Sequence, residues 1–101
     1  YDVSYPQTSP RAFLLTFNTQ RQQIIDFLDT RREILNWMAI LSHAVVVVST
    51  NNVAELTDII HAHFPYDWFV IAELDTFKTN GFITKATWDF INSPKSSGRW
   101  S

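Results

Sequence analysis

The chain has 101 residues, 46% apolar and 15% aromatic, with a formal net charge of −2 and no cysteine. That length suits one domain with a modest core, and the composition is that of a folded chain rather than a disordered one. The missing cysteines exclude disulfides, thiol catalysis and every cysteine-ligated zinc or iron–sulfur centre. The mildly acidic balance does not advertise the basic stripe or patch typical of nucleic-acid surfaces.

Residues 1–10 hold Pro6 and Pro10 among polar neighbours and read as an irregular lead-in. Residues 11–17 place Phe13, Leu15 and Phe17 on one parity, which predicts a strand. Thr19 and Gln22 have capping-box spacing and open a helix over about 20–32, with Ile24, Ile25 and Leu28 on its apolar stripe. Arg31 and Arg32 are expected in its last turn, where cations favour the helix dipole. The apolar stretch 34–50 is too long for one strand. Its only internal polar pair, Ser42 and His43, divides it into a hairpin of 34–41 and 44–49, and the valine run 45–48 is strongly β-branched. Asn52 and Glu55 start a second helix carrying Leu56, Ile59, Ile60, His63 and Phe64, and Pro65 ends it. Residues 68–74 form the last strand. A loop runs through Lys78, Thr79, Asn80 and Gly81. Thr84 caps a short helix with Trp88 and Ile91, and 93–101 reads as a flexible tail.

The expected architecture is therefore α+β: one ferredoxin-like βαββαβ domain over 11–92. It has an antiparallel sheet, two helices on one face and a short C-terminal helical extension. All four strands are apolar on both parities, whereas a sheet face left in water should be polar. Something must cover the second face. A second copy of the chain is the simplest cover, with Leu14, Met38, Val46, Val48, Phe69 and Ile71 as interface candidates. The alternative cover is the C-terminal segment with Phe77, Phe82, Trp88 and Phe90.

The sequence holds little legible chemistry. Its two glycines, Gly81 and Gly98, make no phosphate loop. His61 and His63 stand two apart on a helix and face different ways, so they do not form a metal pair. His63 is expected at a core edge, His61 in solvent and His43 in a structural turn. Glu73 and Asp75 share a parity at the end of the last strand. If adjacent strand ends brought them near Asn18, they would be candidates to hold Mg²⁺ for phosphodiester hydrolysis. No other cofactor is expected. No apolar run approaches the roughly 18 residues of a membrane-crossing helix. The first residues also lack the basic and apolar regions of a signal peptide, so a cytoplasmic protein is expected.

Several segments carry a resemblance. These are the strand from Phe13 through Asn18, the Trp37 hairpin leading into 44–49, and the helix with Leu56 and Ile60 before Asp67, Trp68, Phe69, Val70 and Ile71. The ending Gly81, Phe82, Ile83 followed by Ala86 through Ile91 is the most suggestive. Across 11–92 the chain resembles the SinR-like hypothetical proteins, which are similar to the ferredoxin-fold CRISPR-associated subunit of spacer acquisition. That resemblance implies a dimer. It also implies a carboxylate at the end of the first strand, assigned in some relatives to metal-dependent nuclease activity. Here the position is Asn18, a neutral and poor substitute for an anionic ligand. The expectation is thus a dimeric scaffold that binds protein or nucleic acid, with a metal-dependent nuclease as the rival reading.

Overall fold

The computed structural model describes residues 9–75, 79–81 and 83–98. The lead-in over 1–8, Phe77, Lys78 and Phe82, and the tail end over 99–101 lie outside the described residues. The elements are β1 (Arg11–Phe17), α1 (Arg21–Thr30), β2 (Asn36–Leu41), β3 (Ala44–Ser49), α2 (Val53–His63), β4 (Phe69–Glu73) and α3 (Lys85–Asn92). They form a small α+β structure with a four-stranded sheet in the order β2-β3-β1-β4, antiparallel at every pairing.

Side-chain caps fix the starts of two of the helices. Asn52 accepts the Glu55 N–H at 2.8 Å, and the Glu55 side chain accepts the Asn52 N–H at 3.0 Å. This reciprocal pair is the capping box expected for α2. The Thr84 side chain accepts from Thr87 N–H at the start of α3. The box expected at α1 does not form. Gln20 occupies the N-cap without a side-chain bond, Thr19 is buried, and Gln22 donates to Asp26 instead. Nor do Arg31 and Arg32 belong to the last turn of α1. The helix stops at Thr30, and Arg31 turns to grip the Glu33 carboxylate.

The hairpin turns at Ser42 and His43 as expected. Among the described residues, no non-glycine residue takes a positive φ, so the turn is not of the type I′ that two-residue hairpins favour. The register instead shifts between Ala39 and Leu41. Such an irregularity adds local twist.

Two apolar clusters flank the sheet. On one face Phe13, Leu15, Phe17, Val45 and Val47 meet Ile24, Phe27 and Leu28 of α1 and Leu56 and Ile60 of α2. Each such side chain contributes roughly 1.5–3 kcal/mol by leaving water. On the other face Ile91 of α3 packs on Ala12 and Val46, with Ile40, Leu74, Ile83, Trp88 and Phe90 around them. The valines of β3 are buried on both sides because each side has its own helical cover. The chain after α3 also returns to the sheet. Ser97 N–H donates to Leu35 O at 2.9 Å, and Asn36 Nδ2 donates to Lys95 O at 3.2 Å.

Candidate functional site

The three residues considered for metal chemistry do not converge. Asn18 follows β1, and its side-chain oxygen accepts the Trp68 N–H at 2.9 Å. Its own N–H donates to Trp68 O at 3.1 Å. Asn18 therefore stitches the end of β1 to the start of β4. Glu73 lies opposite Phe13, at the beginning of β1. Strands rise about 3.4 Å per residue, so Glu73 sits about 17 Å along the sheet from Asn18. Asp75 is farther still. This corrects the sequence expectation. β1 and β4 are antiparallel, so the end of one adjoins the start of the other. Glu73 bonds Arg11 at 3.0 Å, and Arg11 also donates to Asn51 O at 3.1 Å. Among the described residues, no group of three or more His, Asp or Glu side chains is arranged to hold a metal ion.

Two of the histidines sit against aromatic rings. His63 stacks near Phe27 and Phe64, with ring centroids 4.8 and 4.6 Å apart. His43 lies 5.8 Å from the Phe17 ring. His61 is exposed on α2.

The register also divides the six interface candidates. Phe69 and Ile71 pair with Phe17 and Leu15 and share their helix-packed face. Val46 and Val48 are fully buried within the single chain. Met38 borders a small cleft shared with Ala86 and Phe90 of α3. Only Leu14 of the six lies on the half of the second face that the described residues leave uncovered, opposite Ala72. That half is built from β1 and β4: Leu14 and Thr16 are half-buried, while Val70 and Ala72 are exposed. Trp68 leads into it and is 81% exposed. Beside it an open groove of about 900 Å³ is lined by Asp67 through Ile71 of the β4 region, by Phe17, Asn18 and His43, and by Thr57 and His61 of α2.

Sequence reasoning missed the role of Asn18 and the exposure of Trp68 and Tyr66. The Pro65 stop was the available signal, because a helix ending there sends the next residues around an outer corner. Among the described residues, no helix is long and apolar enough to cross a membrane. No family model, no curated protein and no solved structure matches this sequence at a significant level.

Proposed function

We propose that this chain is a ferredoxin-like domain that works by association rather than by catalysis, as a small homodimeric module similar to the SinR-like proteins and the CRISPR-associated spacer-acquisition subunit. The strand order β2-β3-β1-β4 supports the fold assignment, as do α1 and α2 on a shared face. The observation that carries the association is the uncovered half of the second sheet face, where Trp68 and Val70 are 81% and 67% exposed. Apolar side chains gathered on one surface mark an interaction site more often than an inert one. The nuclease reading needs Mg²⁺ shared between Asn18 and Glu73 or Asp75, and their antiparallel placement speaks against that within one chain. The reading includes a cytoplasmic setting, which cell fractionation checks.

Light scattering coupled to size exclusion tests the association, with a dimer expected at tens of micromolar. Incubation with RNA and DNA in Mg²⁺ or Mn²⁺ is expected to leave both polymers intact. A monomer in the first assay, or metal-dependent cleavage in the second, would defeat this reading.

A further inference from the structure

The groove beside β4 touches five consecutive residues, Asp67 through Ile71. The same groove reaches Thr16, Phe17 and Asn18 at the end of β1 and His43 beyond it, so it lies where β4 begins. Among the described residues β4 is an edge strand, bonded to β1 alone. The ladder identifies its unused backbone groups. Leu74 N–H donates to Ala12 O, and Asn18 N–H donates to Trp68 O. The even-numbered residues of this strand therefore bond inward. In an antiparallel ladder the alternate residues turn outward, and these are Phe69, Ile71 and Glu73.

The two edges of the sheet are treated differently. β2 carries the register shift at Ala39 and Leu41, and the returning chain bonds its start at Leu35 and Asn36. Among the described residues β4 has no such guard. From Trp68 to Ala72 it holds no charge and no proline, and its register with β1 is unbroken. A bare apolar edge is a template for another strand.

We infer that β4 is the seam of a symmetric dimer, pairing antiparallel with β4 of a second copy to join the two sheets into one of eight strands, four from each copy. This rests on the self-association proposed above and names its surface. Charge selects the register. A two-fold axis at Val70 sets Asp67 opposite Glu73 of the second copy, and like charges directly opposite destabilise a pair. An axis at Ile71 instead sets Ile71 opposite its own copy, Val70 opposite Ala72 and Phe69 opposite Glu73. The outward N–H and C=O groups of Phe69, Ile71 and Glu73 are then all paired. Trp68 and Val70 are 81% and 67% exposed. Both lie on the sheet face that would run across the seam, where one aromatic side chain buries roughly 150–250 Å² toward the roughly 800 Å² per partner that a stable interface needs.

The absence of native cysteine allows a direct test. Val70→Cys and Ala72→Cys chains are prepared separately, then unfolded together, refolded and oxidised. In the Ile71-centred register, residues 70 and 72 form a pair without backbone hydrogen bonds, at a Cα separation of about 4.5 Å, which suits a disulfide. The mixture should cross-link between unlike chains, and neither chain alone should. Val70→Cys cross-linking to itself would overturn the register. Ile71→Pro removes an outward N–H and no bond to β1, a change an edge strand tolerates. It should weaken the dimer about tenfold or more while circular dichroism is retained. Val70→Lys, at an exposed side chain, serves if the proline variant does not fold. A monomeric wild type overturns the association reading and this seam together. A dimer indifferent to both substitutions, with no cross-link between 70 and 72, overturns the seam alone.

Discussion

Ile91→Ala asks whether α3 is a structural part of the second face or an ornament on it. Ile91 is 2% exposed and packs against Ala12 and Val46. The substitution deletes three carbons, a transfer loss of about 2.4 kcal/mol at ~0.8 kcal/mol per methylene. A cavity adds to that in a rigid site. α3 is only eight residues long and lies at the surface, so it can settle partly into the gap. The expected loss is about 2–3 kcal/mol, near the low end for buried Ile→Ala changes. Leu56→Ala is the reference, because Leu56 is fully buried in the larger cluster between α2 and the sheet. It should cost about 3–5 kcal/mol. Urea denaturation followed by far-UV circular dichroism measures both. A helix of eight residues does not persist alone in water, so loosening α3 should also reduce the denaturant slope, since less surface remains to be exposed. A loss below about 0.5 kcal/mol at Ile91 would contradict the packing of α3 on the sheet.

Asn52→Ala removes the acceptor of the Glu55 N–H and should lower stability by about 1 kcal/mol, read as a shift in thermal midpoint. Asn52→Ser should recover most of it. Asn18→Ala leaves the Trp68 N–H to water and should cost about 0.5–1.5 kcal/mol in the same denaturation assay. Asn18→Asp keeps an acceptor there and should cost less. It should not create Mg²⁺-dependent hydrolysis, because Glu73 stays at the far end of β1; cleavage by that variant would refute the structural role given to Asn18. Glu73→Gln breaks a partly exposed pair with Arg11. It should cost less than about 1 kcal/mol, by an amount that shrinks in high salt.

What the sequence disclosed was local, and what it hid was long-range. The alternation of Phe13, Leu15 and Phe17 announced β1, and Asn52 with Glu55 announced α2 through bonds spanning three residues. Thr19 and Gln22 had the same spacing but failed, because burial claimed the threonine. Parity within β4 was legible, yet which parity faces the helices depends on its register with β1, set by residues more than fifty positions apart. For the same reason the sequence allows Asn18 and Glu73 to be neighbours, and the pairing of β1 with β4 separates them. Nothing local states that strand β4 runs antiparallel to β1 beside it.

With the helical covers in place, β4 rather than β3 is the strand that calls for a partner chain. The valine run of β3 was the strongest sign of a sheet apolar on both faces, but α1 and α2 on one side and α3 on the other bury it without a second chain. Among the described residues β4 has no comparable cover on its outer side. Val70 remains 67% exposed, and the backbone groups of Phe69 and Ile71 that turn away from β1 have no strand beyond them among the described residues. A face would be satisfied by any apolar surface. An edge needs an extended chain that returns its hydrogen bonds in register, which is a far more selective requirement. Association at β4 therefore predicts dependence on backbone geometry. A proline at position 71 should matter more than an apolar exchange such as Val70→Ile, and the reverse order would favour packing across the face.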